Sequence, residues 1–314
     1  MSEGTAYLNG GFIPDSECKV HVADRGFRVG DVVFDVERTF NGKVFRLREH
    51  LDRLYRSLKY VRIDPGLTQE QMEELTLEVL ARNEPLRETG GDFSMTQFVT
   101  RGSGARVTDR LPPVVGIRAQ PIDFSCHARF YREGAHVVFP RTRSYPAQSL
   151  DPKVKHYSRM NFALAELEAT DVDPDAYAVL LDQEGSITEG VSSNFFLVTN
   201  GVLRFPTDRA ILQGISRMTV LELAGQLGIP VSEEDLQPYD AYTADEAFLT
   251  TTSFCILPVG RIDKRPLGAG APGPITRRLQ EAWSALVGLD FVEQALSHIP
   301  GERLAVRAVR AERS

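Results

Sequence analysis

The apolar positions of the chain follow two periods, one typical of strands and one typical of helices. Residues 32–40 are rich in β-branched and aromatic side chains, and Asn41-Gly42 after them predicts a tight turn. Residues 48–60 carry their apolar side chains on one stripe, which predicts a helix. Further strands are predicted in a hairpin at 7–13 and at 93–100, 113–119, 176–181, 187–189, 194–199, 202–205 and 246–252. Further helices are predicted after Thr68 and at 158–169, 214–227 and 274–286.

The order of these elements predicts an α+β fold. Strands and helices are interleaved without strict β-α-β alternation and hairpins are frequent, which disfavours a doubly wound sheet. A chain of 314 residues is long enough for two domains. The stretch that follows Pro140 contains prolines and arginines and lacks periodicity. We therefore expect an N-terminal domain over 1–140, a linker over 141–150 and a C-terminal domain over 151–314.

Composition and charge narrow the class of protein. Hydrophobic residues make up 42% and charged residues 25%, the balance of a soluble globular protein. The net charge of -7 disfavours a nucleic-acid binder. We see no secretory signal and no apolar run of about 18 residues, so we expect a cytoplasmic protein without a membrane span. The three cysteines and six histidines lack metal-binding spacing, and we expect no metal.

Lys155 and Glu189 are the two charged residues that together indicate a chemistry. Lysine is the side chain that forms a Schiff base with an aldehyde cofactor, although on residue type alone Lys153 is an equal candidate. A cofactor that acts as an electron sink needs a carboxylate beside its ring nitrogen. Glu189 ends a short apolar strand, where such a carboxylate can lie. The pair predicts the protein's half of pyridoxal 5'-phosphate (PLP) chemistry, against the alternative of two solvated surface charges.

A cofactor phosphate needs N–H groups, hydroxyls and an arginine. Gly214-Ile215-Ser216 begins a predicted helix, and a run of hydroxyl side chains at 250–253 follows a predicted strand. Such hydroxyls are also common as turn or cap residues. The segment 268–273 fits G-x-G-x-x-G, but it follows no clear strand and is not a dinucleotide fingerprint.

In their order along the chain, these segments resemble the fold-type IV PLP-dependent aminotransferases. That family includes branched-chain and D-amino-acid aminotransferases, (R)-selective amine transaminases and aminodeoxychorismate lyase. The resemblance covers about residues 5–287. The matching segments are Gly30-Asp-Val-Val-Phe34-Asp35, Glu49-His50-Leu-Asp-Arg53-Leu, Val154-Lys155, Thr188-Glu189-Gly190 with Asn194-Phe195, Leu212-Gln-Gly214-Ile215-Ser216-Arg217, Ala244-Asp245-Glu246 with Thr252, and Gly273-Pro274-Ile275-Thr276.

The resemblance implies a small N-terminal α/β sandwich and a larger barrel-like C-terminal domain. It also implies that Lys155 forms the internal aldimine and then moves a proton between substrate and cofactor, while Glu189 pairs with the ring nitrogen. The resemblance further implies a homodimer in which a loop of the partner completes each pocket. The phosphate ligands implied are Arg53, Ile215, Ser216 and Thr252.

Two features of the resemblance favour a D-amino acid or an (R)-amine as the amino donor. The loop at 99–108 is similar to the T-R-G loop of those enzymes. Arg106 falls where the D-amino-acid enzymes place an arginine for the substrate carboxylate, and an arginine fork suits a carboxylate. Thr108, however, replaces the histidine of that pattern. We expect a keto acid, pyruvate or 2-oxoglutarate, as acceptor.

Other positions leave a branched-chain L-amino-acid aminotransferase as the alternative. Phe34 and Arg38 look similar to the Phe-Glu-Gly-Ile-Arg run of those enzymes, whereas Met160 stands where they usually have a tyrosine. Ser253 beside Thr252 is a further substrate-binding candidate. The segment that begins at Lys155 also resembles the lysine segment of the lyase, which is the third and less favoured alternative.

Overall fold

A computed structural model describes residues 3–88, 91–109, 112–268 and 270–299. Contacts group the chain into two compact units, one of Met1–Ile122 with Lys153–Arg159 and one of Asp123–Pro152 with Met160–Ser314. Sheets dominated by antiparallel pairs carry helices in both units, which confirms the α+β class. The units differ from the predicted domains at 123–140 and 153–159, and the boundaries 1–140, 141–150 and 151–314 stay a prediction.

The first unit contains a six-stranded sheet with the order β2-β1-β6-β5-β3-β4, in which every pair is antiparallel. Its strands are β1 (Thr5–Leu8), β2 (Gly11–Pro14), β3 (Val32–Phe40), β4 (Lys43–Val44), β5 (Phe93–Thr100) and β6 (Val114–Pro121). Its helices are α1 (Arg25–Val29), α2 (Leu47–Val61) and α3 (Gln69–Asn83), with short 3-10 turns at Asp15–Glu17 and Glu84–Leu86.

Helix α2 buries one stripe against the sheet of this unit. Leu47, Leu51, Leu54 and Leu58 are three or four residues apart and all belong to its hydrophobic core. Helix α3 begins at Thr68, which forms a capping box with Gln71. Turn chemistry sets the strand ends, because both residues of the Asn41-Gly42 turn have positive φ, as a two-residue hairpin of type I′ requires.

The second unit contains a nine-stranded mixed sheet with the order β12-β11-β10-β13-β14-β7-β8-β9 and with β15 paired to β14. Its strands are β7 (Ala135–Val138), β8 (Tyr177–Leu181), β9 (Ile187–Gly190), β10 (Asn194–Thr199), β11 (Val202–Pro206), β12 (Val231–Glu234), β13 (Glu246–Thr251), β14 (Cys255–Ile262) and β15 (Arg265–Pro266). Its helices are α4 (Phe130–Glu133), α5 (Met160–Thr170), α6 (Ile215–Gln226), α7 (Pro238–Tyr242), α8 (Pro274–Val287) and α9 (Phe291–Leu296), with 3-10 turns at Phe124–Cys126 and Asp208–Ala210.

Buried acceptors fix the start of a long helix in this unit. The Glu246 carboxylate accepts the backbone N–H groups of Ile275 and Thr276 at 2.9 and 2.8 Å, and the Thr276 hydroxyl at 2.7 Å. Three donors at the first turn of α8 are therefore satisfied by one side chain. Over the parts of the chain that the structure describes, every helix is too short or too polar to cross a membrane. The charged tail at 303–314 lies outside the described residues.

Candidate active site

The lysine segment runs beside strand β3 and extends the sheet of the first unit. Its backbone forms an antiparallel bridge between His156 and Val33. Phe34 donates its N–H to the Lys155 carbonyl at 3.0 Å, and Tyr157 donates its N–H to the Val32 carbonyl at 3.3 Å. Lys155 and Phe34 therefore lie directly opposite each other, and their side chains share one face of the sheet.

The other face of this segment holds it to the core. Val154 is buried in the hydrophobic core of the first unit. His156 is buried as well, and burial with the positive charges of Arg159 and Lys155 lowers the pKa of His156 to about 4. Its neutral Nδ1 accepts the backbone N–H of Ser158 at 3.1 Å. The alternation of strand residues thus turns Lys155 away from the core that anchors its neighbours.

On its own face, the Lys155 amine lies against aromatic rings. Its Nζ is 4.7 Å from the centroid of the Phe34 ring. Phe34 in turn stacks on Tyr157, with centroids 3.9 Å apart and planes 16° apart. A lysine ammonium over an aromatic ring is attracted by the negative face of the ring's quadrupole. Phe34 therefore lies next to the predicted nucleophile, and its substrate role stays a prediction.

Arg53 belongs to a buried charge cluster around Asp35, the residue that follows Phe34 on β3. Its guanidinium donates to both oxygens of Asp35, from Nε at 2.9 Å and from Nη2 at 2.6 Å. His50 Nδ1 lies 2.8 Å from the same carboxylate. Burial lowers the pKa of His50, so the ring is neutral and Nδ1 donates to Asp35. Burial alone would raise the pKa of Asp35, but Arg53 and His50 outweigh it and hold that pKa well below its usual range.

Glu37 adds a second buried carboxyl two residues along the same strand. Burial first, and the Asp35 charge second, raise the pKa of Glu37 well above its usual value. Gln97 donates from Nε2 to Glu37 Oε1. Among the described residues, neither Glu37 Oε2 nor Gln97 Oε1 has a hydrogen-bond partner. A proton on Oε2, in keeping with the raised pKa of Glu37, would make that buried oxygen a hydrogen-bond donor.

The same cluster presents the geometry of a three-ligand cation site, with ligand atoms of Asp35, Glu37 and His50 all within 4.8 Å of one another. Both Asp35 oxygens already accept N–H groups, and the Arg53 charge beside them repels a cation. We therefore interpret the cluster as an ion-pair network, and the expectation of no metal stays a prediction.

Glu189 lies in the second unit, at the end of β9. Its Oε2 accepts the backbone N–H of Leu212 at 3.0 Å and lies 3.4 Å from Asn194 Nδ2. Asn194 also donates from Nδ2 to the Leu212 carbonyl at 2.9 Å. The carboxylate is thus oriented by a backbone donor and a side-chain amide. Asn194 is a positioning residue to which the sequence analysis gives no role.

The same asparagine connects Glu189 to the start of α6. Gly214 is the residue before that helix, and a Cβ built on it would lie 2.1 Å from Asn194 Oδ1. The glycine therefore allows a close approach that another residue would block. Ile215 and Ser216 form the first turn of the helix, where N–H groups point out of the helix and attract anions. The structure brings Glu189 and this first turn together through Leu212 and Asn194.

The hydroxyl run at 250–253 bridges two strands. Strand β13 ends at Thr251, one residue before the predicted end, and Thr252 and Ser253 lie in the turn that leads into β14. Thr250 donates its hydroxyl to the Cys255 carbonyl at 2.5 Å, and Thr251 donates to the Ser192 carbonyl at 2.6 Å. Thr250 and Thr251 therefore stabilise the turn on which Thr252 and Ser253 are displayed.

The remaining substrate candidates occupy different environments. Arg38 is buried, with Nη2 3.7 Å from Asp92 Oδ2 and its Nε donating to the Thr39 carbonyl. Arg106 and Thr108 lie in an exposed loop, and Met160, at the start of α5, is 71% exposed. Their substrate roles stay predictions.

The loop that carries Arg106 is tied to the unit at its first residue. Arg101 pairs with Asp31, with Nε 2.7 Å from Oδ2, and its Nη2 donates to the Val61 carbonyl at 2.7 Å. The loop therefore leaves a fixed base, whereas Arg106 itself is displayed to solvent.

Comparison with known proteins identifies the family. Residues 32–262 match the profile of the family described as Amino-transferase class IV. The chain belongs to the class IV aminotransferases. This confirms the resemblance, the enzyme class and the fold-type IV architecture expected from the sequence.

The similarity to three relatives covers most of this aminotransferase chain. It is 38% identical, over 88% of its length and 93% of the relative, to a Methanocaldococcus jannaschii protein provisionally named a branched-chain-amino-acid aminotransferase. It is 31% identical to the D-alanine aminotransferase of Bacillus licheniformis, over 88% of the chain and 94% of the relative. The T.th. branched-chain amino acid aminotransferase, solved with N-(5'-phosphopyridoxyl)-L-glutamate, superposes with a TM-score of 0.81 at 32% identity, over 92% of this chain and 95% of that one.

Membership of the class IV aminotransferases implies PLP as cofactor, and the residues of this chain fit it. A lysine amine turned away from the core suits an aldehyde, and a carboxylate fixed by Leu212 suits a protonated ring nitrogen. The backbone N–H groups at the first turn of α6, together with the Ser216 hydroxyl, suit a phosphate. The enzyme therefore uses PLP, as expected from the sequence.

Proposed function

We propose that this class IV aminotransferase moves the amino group of a branched-chain L-amino acid to 2-oxoglutarate. The observation that carries the proposal is near full-length similarity to a protein provisionally named a branched-chain aminotransferase, together with a superposing enzyme of that activity. The L-glutamate adduct in the T.th. enzyme supports glutamate and its keto acid as the second pair. The alternative of the sequence analysis thus becomes the main proposal, ahead of D-amino acids and (R)-amines.

PLP, when bound, supplies the aldehyde that takes up the amino group and the ring that draws charge from the substrate carbon. The Lys155 amine would hold the cofactor through its aldehyde, and the same amine would serve as the acid and base for the proton of the substrate carbon. Phe34 presents an apolar ring beside that amine, which suits an aliphatic side chain.

The other cofactor contacts follow from the geometry within each unit. Glu189, oriented by Leu212 and Asn194, holds the proton of the ring nitrogen. Ser216 and the backbone of Ile215 bind the phosphate at the first turn of α6, with the Thr252 hydroxyl. Arg53 supplies the positive charge, with its guanidinium plane oriented by Asp35.

Substrate specificity is tested by half-reactions. The PLP-loaded enzyme is mixed in separate experiments with L-leucine, D-alanine and (R)-1-phenylethylamine, and the loss of its visible absorbance band is followed. We expect the fastest loss with L-leucine, and recovery of the band on adding 2-oxoglutarate. Loss of the band with D-alanine or with (R)-1-phenylethylamine, and no loss with L-leucine, would reject the branched-chain proposal.

A second candidate, transfer from a D-amino acid, is supported by two observations. The chain is similar to D-alanine aminotransferases over most of its length. Arg106 is exposed in the loop that resembles theirs, where a guanidinium can meet a carboxylate. If this candidate is right, Arg106→Ala abolishes the reaction with D-alanine at ordinary concentrations. An unchanged D-alanine reaction in that variant would exclude the role of Arg106.

We further propose a homodimer in which the loop at 101–109 of one copy serves the site of the other. The exposure of Arg106, Val107 and Thr108 supports a role for this loop outside its own unit. Light scattering gives the mass in solution. Lys155→Ala copies are then mixed with Arg106→Ala copies and assayed with the donor whose reaction Arg106→Ala impairs. Activity is partly restored if the loop acts across the dimer, and it is not restored if each copy is self-sufficient.

A further inference from the structure

Tyr157 is an aromatic residue two positions after the proposed reactive lysine. Neither the resemblance nor the proposed function assigns a role to Tyr157. Strand alternation places Tyr157, two residues after Lys155, on the same face as the lysine and Phe34. Its neighbours Val154 and His156 point into the first unit instead. Tyr157 therefore lies on the reactive side of the lysine segment.

The contact that Tyr157 makes is specific. Its ring lies parallel to Phe34 within 16° at a centroid distance of 3.9 Å. A ring packed flat at this distance restricts its neighbour, because turning the Phe34 ring out of its plane would bring it into contact with the Tyr157 ring. Phe34 is 7% exposed and Tyr157 is 45% exposed, so the tyrosine forms the outer layer of the pair.

Phe34 connects this stack to the chemistry. The Lys155 Nζ lies 4.7 Å from the Phe34 centroid, so the plane of the phenylalanine sets the surface that the amine meets. A Phe side chain turns about two torsions, and its neighbours fix the ring plane. Tyr157 is the neighbour that lies flat against it. A change at residue 157 should therefore reach a substrate through Phe34.

We propose that Tyr157 is a positioning residue that holds the Phe34 ring beside Lys155 and so sets how an amino donor's side chain packs there. The inference rests on the proposed function, because it takes Lys155 and Phe34 as parts of the substrate site. The ring of Tyr157 performs this role through stacking, and its hydroxyl is dispensable.

A double-mutant cycle tests the proposal. The four proteins are the wild type, Tyr157→Leu, Phe34→Leu and the double variant, each loaded with PLP and reacted with L-leucine in single half-reactions. We expect Tyr157→Leu to raise the half-saturating donor concentration about three- to tenfold with little change in the limiting rate. In the Phe34→Leu background the same change should have no further effect, since the partner ring is gone.

Matched variants separate positioning from a general loss of structure. Tyr157→Phe keeps the ring and should behave as the wild type. Tyr239→Leu removes a tyrosine that is 74% exposed and should leave the reaction unchanged. Additive effects of Tyr157→Leu and Phe34→Leu, or a defect in Tyr157→Phe equal to that of Tyr157→Leu, would overturn the proposal.

The cofactor-free protein gives a readout that needs no turnover. With labelled phenylalanine, the Phe34 ring signal is assigned by its loss in Phe34→Leu. Tyr157→Leu should remove the ring-current shift from this signal, and Tyr157→Phe should keep it.

If the wild type forms no PLP band, the proposed function and this inference both fail. A normal band with equal half-saturation in all four proteins defeats the positioning role alone.

Discussion

Asp35 holds Arg53 side-on, through hydrogen bonds from Nε and Nη2, in the interior of the first unit. Asp35→Asn removes the negative charge and leaves the buried guanidinium without its counter-ion. Breaking a buried ion pair in this way costs about 3–5 kcal/mol of unfolding free energy. Urea unfolding of the cofactor-free protein measures the loss, and a PLP titration should show weaker binding because Arg53 is no longer oriented.

Glu78→Gln is the control for Asp35→Asn, because it breaks an exposed pair with Arg82 on α3. Such surface pairs contribute about 0.3–0.5 kcal/mol. A loss at Asp35 as small as that at Glu78 would show that Arg53 does not depend on its partner.

Glu37→Gln should change the pH dependence of stability. The folded protein keeps a proton on Glu37 above the ordinary glutamate pKa of 4.5, whereas the unfolded chain releases it. The wild type therefore loses up to about 1.4 kcal/mol for each pH unit above that value, until the folded-state pKa is reached. Glutamine is neutral at every pH and can donate to Gln97, so the variant should not show this loss.

The measurement for Glu37 is the difference in urea unfolding between the two proteins from pH 4 to pH 9. Taking the difference removes the part of the pH dependence that both proteins share, including that of Asp35 and His50 in the same cluster. A difference in unfolding free energy between the two proteins that is constant with pH would mean that Glu37 is ionised in the folded protein.

Lys155→Ala should abolish both turnover and the visible band that PLP forms with the enzyme. Lys153→Ala is the matched control in the same segment and should keep both. Borohydride treatment of the loaded wild type fixes the cofactor to its lysine, and peptide mass mapping then identifies the residue. A label on Lys153 would transfer the catalytic role to that residue.

Gly214→Ala should weaken PLP binding about tenfold, because a Cβ at 2.1 Å from Asn194 Oδ1 forces apart the contacts that orient Glu189. Gly225→Ala on the same helix is the control. It meets no atom within 4 Å and replaces an exposed helical glycine, so it should keep PLP affinity and add up to about 1 kcal/mol of stability. Equal PLP affinity in the two variants would show that the Asn194 contacts that orient Glu189 do not contribute to cofactor binding.

Local signals in the sequence predict much of the fold. The alternating and β-branched pattern predicts β3, β5 and β10 with the bounds that the structure shows. The Asn-Gly pairs at 9–10, 41–42 and 200–201 all have positive φ at both residues and form the predicted turns. Sequence analysis does not predict strand β14, because Pro258 and Gly260 interrupt its pattern. Pairing with β13 and β7 on either side nevertheless makes it a central strand.

The residues of the candidate site, like the strands, are predictable where a short segment carries the signal and not where the signal depends on tertiary packing. Motifs indicate Lys155 and Glu189, since a short segment around each carries its signature. The network of Asp35, Glu37 and His50 could not be predicted, because their burial depends on the packing of α2 against β3. The signal for this network in the sequence is the presence of two acidic residues, Asp35 and Glu37, within the apolar run of β3. The Tyr157 stack depends on a bridge between residues more than a hundred positions apart.

The discontinuous first unit has a consequence for the order in which the protein is made. Val154 completes a core whose other members all lie before residue 122, and His156 adds the backbone bridge to β3. A ribosome must therefore translate the first part of the second unit, residues 123–152, before the first unit can close. Lys155, the proposed nucleophile, lies in the same short segment, so the nascent chain acquires this lysine and its finished N-terminal core in a single step of synthesis.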